Sequence, residues 1–167
     1  MNLTVNLTFV SSAALASTVW TVFIEFVHWM NASSANRSEG AKARAALIYV
    51  VDDEPMILDL ARAILIPEGH RVECFRDPAT ALQAFAAQEP RPDLVIADFN
   101  MHPMNGFEFL QAMRRIHPAQ RVLMISGAVS ASFFDSVACR PNRFLAKPYK
   151  AGQLLEAVQA LLTPKTD

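Results

Sequence analysis

The sequence predicts an α/β fold in which five parallel strands form one doubly wound sheet. The first observation is that short apolar runs alternate with longer segments of helical spacing between residues 46 and 162. The second is that several short runs are apolar at nearly every position, as in strands covered on both faces. We expect the strand order 2-1-3-4-5, which places strands one and three side by side at the switch point of the sheet.

The first two strand and helix units have clear boundaries. Leu47–Val51 is the first predicted strand, and Pro55 is suited to the first turn of the following helix. The second predicted strand, Arg71–Phe75, alternates in polarity like an edge strand. Asp77 and Pro78 then supply an N-cap and a first helical residue. The predicted inner faces of the two helices consist of Ile57, Leu60, Ala61 and Ile64, and of Ala81, Leu82 and Phe85.

The third predicted strand starts at Asp93 and delivers Asp98 to a loop that contains Pro, Asn and Gly residues. A helix follows Gly106, and its predicted inner stripe is Phe109, Leu110, Met113 and Ile116. Parallel sheets place their chemistry just beyond the carboxyl ends of the strands, so Asp98 is a candidate functional residue. The alternative is an Asp that only caps a turn.

The last two predicted strands are Val122–Ile125, which ends in Ser126, and Phe144–Ala146, which ends in Lys147. Between them, residues 128–139 are predicted as a short helix, although few of them are strong helix formers. The inner stripe of the last helix is predicted to be Leu154, Leu155, Val158, Leu161 and Leu162.

Residues 1–30 form an apolar segment that is nearly free of charge, outside the predicted units. The segment either anchors the domain in a membrane or lies upstream of the true start at Met30, and we favour the shorter protein. Three basic residues between positions 37 and 44 follow the segment, so an anchored form would keep the domain in the cytoplasm. The remaining predicted organisation is a flexible linker at 31–45, the folded domain at 46–162 and a tail at 163–167.

Composition limits the classes of partner. The formal net charge is -1 and the sequence contains no basic stripe, which argues against nucleic-acid binding. Cys74 and Cys139 lack metal-ligand spacing, so both are predicted to be reduced, buried thiols.

Polar residues of particular types follow four of the predicted strands: Asp52 and Asp53, Asp98, Ser126, and Lys147. Since strands one and three are neighbours in the predicted order, three carboxylates should converge at one edge of the sheet. Crowded carboxylates require a cation, and oxygen ligands in a loop favour Mg²⁺. Asp98 could then attack a phosphorylated substrate and form an aspartyl phosphate, while Lys147, Mg²⁺ and the Ser126 hydroxyl contact the transferred group.

With these residues, the sequence resembles the response-regulator receiver family of two-component signalling over residues 46–162. The resemblance rests on Asp52-Asp53, on Asp98 with its Met and Gly spacing, on Ser126 and on Lys147-Pro148. It implies a flavodoxin-like receiver fold and a phosphoprotein that works in a phosphorelay.

The resemblance also implies a role for each matching residue. Asp98 would be the phosphoacceptor. Asp53 would bind Mg²⁺ directly, Asp52 would act partly through water, and the backbone carbonyl of Asn100 would be a third ligand.

A second set of implied roles concerns the response to phosphorylation. Ser126 would be the hydroxyl that moves towards the phosphoryl group, with Lys147 as the charge partner of that group. Phe144 would be the aromatic residue whose rotation reports the active state.

The loop after Asp98 departs from the family pattern at two places. His102 stands where the family usually has Pro, with Pro103 one residue later, and Asn105 stands where it usually has Asp. A loop His without a cluster of partners is typical of a solvated side chain. The same interpretation is given to His28, His70 and His117.

The expected function is that of a single-domain response regulator, which accepts phosphate from a histidine kinase or phosphotransfer protein and turns over no separate substrate. Its output would be protein contact through the face formed by the fourth predicted helix, the fifth strand and the fifth helix.

Two alternatives remain. One is a Mg²⁺-dependent phosphohydrolase with an Asp nucleophile, although a large family of this kind needs an Asp at position 100, which is Asn here. The other is a pseudo-receiver that only binds partners.

Overall fold

The structure is a computed structural model that describes residues 45–127, 134 and 137–163. The apolar segment 1–30, nearly all of the predicted linker, most of the helix predicted at 128–139 and nearly all of the tail lie outside the described residues. Among the residues that are described, none of the helices combines the length and the apolar character that crossing a bilayer requires.

In this part of the chain, five parallel strands form one sheet in the order β2-β1-β3-β4-β5. The strands are β1 (Leu47–Val51), β2 (Arg71–Phe75), β3 (Leu94–Asp98), β4 (Val122–Ser126) and β5 (Arg143–Ala146). The helices are α1 (Pro55–Leu65), α2 (Pro78–Ala87), α3 (Gly106–Ile116) and α4 (Ala151–Leu162). The predicted fold class and strand order are therefore confirmed, and the predicted strand limits differ from the observed ones by about one residue.

The register of the sheet brings the candidate residues to one edge. Val51 of β1 lies opposite Ala97 of β3, so Asp52 and Asp98 follow at the same level. Ser126 of β4 lies opposite Ala146 of β5, and Lys147 comes next in the chain. The carboxyl ends of four strands therefore meet where the sequence places its polar residues.

The core is divided by the sheet into two layers of apolar side chains. On one side, alternate strand residues such as Ile48, Val50 and Ile96 pack against α1 and α4. On the other side, residues such as Tyr49 and Val95 pack against α2 and α3. Both faces of the sheet are covered, which explains the nearly continuous apolar runs in the central strands.

The predicted inner face of α1 was partly wrong. Ala61 and Ile64 are buried as expected, but Leu58 is buried and Ile57 is half-exposed. Leu60, also predicted to face inward, is only partly buried against the core. Apolar residues occupy well over half of the circumference of this helix, and Asp59 and Arg62 share the remaining side. Their spacing therefore does not fix the limits of the buried face.

Two other helix faces also differ from the prediction. Ile116 ends α3 with 40% of its surface exposed. In α4, Leu154 and Val158 are buried, but Leu155, Leu161 and Leu162 are only partly so. The other buried residues of this helix are Ala151 and Ala157, whose small side chains allow the helix to approach the sheet closely.

Side chains cap the helix that precedes β3 in the chain and the helix that follows it. Asp77 accepts hydrogen bonds from the backbone N–H groups of Ala79 and Thr80, which confirms the predicted N-cap of α2. Asn105 accepts from the N–H of Glu108, and the Glu108 carboxylate accepts from the N–H of Asn105 in return. This capping box fixes the start of α3 directly after the loop that follows Asp98.

The first residue of α3 lies against the end of β3. A Cβ atom at Gly106 would stand 2.4 Å from the Asp98 carbonyl oxygen and 2.8 Å from the Met124 sulfur. Such distances are shorter than non-bonded atoms tolerate, so the close approach of α3 to β3 requires glycine.

We predict that Gly106→Ala lowers the free energy of unfolding by roughly 1–3 kcal/mol, because the added methyl group forces the backbone apart. Urea denaturation measures this change. The matched control is Gly152→Ala in α4, where nothing lies within 4 Å of an added Cβ. The control should hold or gain stability because Ala favours helix, and an equal loss in both variants would contradict the close packing at Gly106.

Candidate functional site

The site is centred on Asp98, the last residue of β3, whose carboxylate is almost completely buried. One oxygen, Oδ1, lies 2.7 Å from the Nζ of Lys147. The other, Oδ2, accepts a hydrogen bond of 2.6 Å from the backbone N–H of Asn100. The carboxylate is therefore oriented both by the end of β5 and by its own loop.

Lys147 joins Asp98 to a second buried carboxylate. Its Nζ also lies 3.3 Å from Oδ2 of Asp52, whose side chain is 5% exposed. The other Asp52 oxygen, Oδ1, accepts from the backbone N–H of Glu54 at 2.9 Å. The Lys147 backbone N–H donates to the Ser126 carbonyl at 2.8 Å, which ties this residue to the end of β4. One ammonium group thus contacts carboxylates from both β1 and β3.

The charges in this group do not cancel. Burial raises the pKa of Asp52 to about 6, because the nearby Lys147 ammonium offsets only part of the loss of hydration and Asp98 adds repulsion. Burial alone would lower the pKa of Lys147, but the two carboxylates reverse this effect and raise it above its usual value. Lys147 is therefore charged in neutral solution, and two carboxylates share its single positive charge.

Asp53 lies at the rim of the site, with 37% of its side chain exposed. Its Oδ2 is 3.9 Å from Nδ1 of His102, which is 94% exposed. Within the described residues, no three Asp, Glu, His or Cys side chains are grouped closely enough to hold an ion. The expected convergence of three carboxylates is therefore incomplete: Asp52 and Asp98 meet at Lys147, and Asp53 stands beside them.

The donor atoms nevertheless fit Mg²⁺. Asp52, Asp53 and Asp98 offer only oxygen, and Mg²⁺ in proteins is commonly held by one or two carboxylates together with water and phosphate oxygens. Lys147 offsets only part of the cost of burying the Asp52 carboxylate, so a cation is attracted to this carboxylate.

The remaining predicted residues occupy neighbouring positions. Ser126 ends β4 and is buried. The partly buried Phe144 belongs to an aromatic cluster in which its ring centroid lies 6.0 Å from that of Phe134. Phe134 also packs against Phe99 and Phe107, at centroid distances of 6.1 and 6.4 Å. This aromatic cluster links β5 to the loop after Asp98 and to α3.

Sequence reasoning missed Tyr149 and misjudged His70. Tyr149 is buried two residues after Lys147, and burial raises its pKa to about 12. The only sequence signal was its place directly after the Lys-Pro pair. His70 was predicted to be solvated, but it is buried and its Nδ1 accepts the Ala46 N–H at 3.4 Å. Both cysteines are free thiols as expected, but they are half-buried instead of buried.

Comparison with known proteins agrees with this arrangement. The family described as the response regulator receiver domain matches residues 48–159, which is more than half of the chain. The chain belongs to this family. The resemblance inferred from the strand-end residues is thereby confirmed, and the chain contains a receiver domain.

The receiver is similar to proteins from several bacteria. It is 30% identical over 130 residues to the alkaline phosphatase synthesis transcriptional regulatory protein SphR of Synechococcus elongatus. This match covers 73% of this chain and 51% of SphR. It is 29% identical over 117 residues to the chemotaxis protein CheY of Bacillus subtilis, covering 69% of this chain and 96% of CheY. The chain thus spans about half the length of SphR.

A solved structure of the Vibrio cholerae chemotaxis protein CheY4 is also similar. It superposes with a TM-score of 0.64 at 31% identity and covers 71% of this chain and 99% of that protein.

The raised pKa of Asp52 predicts how stability depends on pH in the metal-free protein. The folded state holds the Asp52 proton more tightly than the unfolded chain, so this group's contribution to stability is lost as the pH rises through about 6. We expect Asp52→Asn to raise the free energy of unfolding by about 1–2 kcal/mol at pH 8, and by less at pH 5.

Urea denaturation in a chelator at both pH values measures the difference. The amide oxygen can still accept the Glu54 N–H, so this backbone contact is preserved in the variant. An equal effect at both pH values would show that Asp52 carries no raised pKa.

Proposed function

We propose that this receiver accepts a phosphoryl group on Asp98 from a histidine kinase or phosphotransfer protein, in a reaction that requires Mg²⁺. The observation that carries the proposal is the geometry of the Asp98 carboxylate at the end of β3. It is buried, with Lys147 Nζ at 2.7 Å from one oxygen and the Asn100 N–H at 2.6 Å from the other.

In the proposed transfer, an Asp98 oxygen attacks the phosphorus atom of a phosphohistidine. An O–P bond forms and the P–N bond breaks, and its electron pair stays with the donor imidazole, which takes up a proton. The Lys147 ammonium, already beside Asp98, neutralises negative charge on the phosphoryl oxygens. We assign the Ser126 hydroxyl, at the adjacent strand end, to a hydrogen bond with the transferred group.

Asp53, Asp98 and the Asn100 carbonyl are the proposed Mg²⁺ ligands, with Asp52 acting partly through water. When bound, the ion would supply further positive charge for the phosphate oxygens. Two features support this assignment: the all-oxygen donor set, and the excess of negative charge that Lys147 leaves uncompensated.

The phosphohydrolase alternative has less support. Position 100, where one large hydrolase family places a second Asp, holds an Asn whose backbone N–H is bonded to Asp98. The proposed role is therefore signalling by a phosphorylated state. The pseudo-receiver alternative predicts no phosphate uptake, so the same labelling experiment separates the three functions.

For the output, we propose a protein partner that binds one face of the receiver. This face is formed by residues 128–139, which were predicted as the fourth helix, by β5 and by α4, which is the fifth predicted helix. The aromatic cluster supports this face, because it gives Phe144 a packed connection to the loop of the phosphoacceptor. The net charge of -1 gives no support for nucleic acid as the partner. We propose that the receiver acts in the cytoplasm, and that residues 1–30 are a candidate membrane contact.

We predict that the wild-type protein gains the mass of one phosphoryl group when it is incubated with Mg²⁺ and a small phosphodonor such as acetyl phosphate. Asp98→Asn should gain none, because the amide resembles the carboxylate in shape but is a far weaker nucleophile. Intact mass spectrometry measures the addition.

Asp59→Asn is the matched control for this experiment, because Asp59 lies exposed on α1 and should not affect labelling. Undiminished labelling of Asp98→Asn would disprove the acceptor assignment. Steady release of inorganic phosphate without accumulation of the phosphorylated mass would instead indicate a hydrolase. A wild type that neither gains mass nor releases phosphate would indicate a pseudo-receiver.

We also predict that Mg²⁺ and beryllofluoride, which mimics the phosphoryl group, alter amide hydrogen exchange in β5 and in the first turn of α4. The physical reason is a shift in the packing of Phe144 when the site fills. Asp98→Asn with the same additions is the control and should show no change. If the wild-type changes were confined to residues 98–105, the proposed output face would be wrong.

A further inference from the structure

The loop after Asp98 is held so that His102 stands beside Asp53. The Asn100 N–H is bonded to Asp98, and the next side chain, Met101, is only 3% exposed within the core. His102 then emerges at the surface with its Nδ1 at 3.9 Å from Oδ2 of Asp53. Two contacts therefore hold the loop directly before His102: the hydrogen bond from Asn100 to Asp98 and the burial of Met101 in the core.

We infer that His102 is a nitrogen ligand for a divalent first-row transition-metal ion that binds at Asp53 in place of Mg²⁺. The inference rests on the proposed function, because it adds a ligand to the metal site assigned there. The family pattern offers no side-chain nitrogen ligand at this position, because a Pro usually stands at the place of His102.

The observed separation suits a shared ion. Bonds from such an ion to imidazole nitrogen and carboxylate oxygen are about 2.0–2.2 Å long, so the two atoms can lie up to about 4.2 Å apart. Nδ1 and Oδ2 are already within that limit. His102 is exposed, so its side chain can turn until the atoms are about 3 Å apart, as adjacent octahedral positions require.

The chemistry of imidazole makes the inference selective. Mg²⁺ prefers oxygen and keeps much of its water, whereas affinity for nitrogen rises from Mn²⁺ to Ni²⁺. His102 should therefore add little to Mg²⁺ binding, more to Mn²⁺ binding and most to Ni²⁺ binding.

A direct contact between His102 and Asp53, with no role in metal binding, predicts the opposite behaviour. In that case His102 competes with every cation for the same carboxylate. Removing the imidazole would then strengthen the binding of all three metal ions by a similar factor.

Isothermal titration of the full chain at pH 8 with Mg²⁺, Mn²⁺ and Ni²⁺ separates the two cases. We expect His102→Gln to weaken Ni²⁺ binding roughly tenfold or more, Mn²⁺ binding by a smaller factor and Mg²⁺ binding less than about twofold. The control is His117→Gln, which changes the half-buried residue directly after α3 and should leave all three affinities unchanged. In an Asp53→Asn background, the additional effect of His102→Gln should disappear.

Equal changes for the three ions, or no change for any, would overturn the inference. So would an undiminished Ni²⁺ effect of His102→Gln in the Asp53→Asn background. Phosphorylation of Asp98 with Mg²⁺, measured on the same samples, keeps the two proposals apart. Labelling without the graded metal effect refutes only the role of His102, whereas the graded effect without labelling supports His102 and refutes the phosphoacceptor function.

Discussion

The position of the Lys147 ammonium between Asp98 and Asp52 is the interaction on which the rest of the site depends. The two carboxylates come from neighbouring strands, and the lysine reaches them across the end of β4. Removing the cation would leave two buried negative charges side by side, a far more expensive arrangement than any single exposed charge. The strand order is therefore inseparable from the chemistry, because a different order would not bring these three groups together.

The sequence allowed the fold and much of the candidate site to be predicted, because polar residues follow apolar runs directly in this chain. Asp98 and Lys147 are tied to strand ends, so once the strands and their order were predicted, the meeting of these side chains followed. The N-cap at Asp77 was predictable for a similar reason, since its interaction is with residues two and three positions away.

Features that depend on the path of a loop or on packing across the sheet could not be predicted in this way. The proximity of His102 to Asp53 depends on how the loop turns after Met101, which no spacing rule gives. His70 looks like an ordinary surface residue in sequence, but the backbone entering β1 covers it and supplies an N–H donor. The limits of the inner face of α1 were ambiguous because apolar residues cover well over half of the circumference of the helix.

The incompletely neutralised charge at Asp52 also connects the solution around the protein with its folding. An ion that binds the folded site, and finds no equivalent site in the unfolded chain, stabilises the domain in proportion to the logarithm of its concentration. The attraction comes from negative charge that the folded chain carries at an energetic disadvantage. If the proposed metal site is correct, divalent ions would act on this receiver in two ways: they would take part in the proposed chemistry, and they would raise the stability of the domain against heat and denaturant.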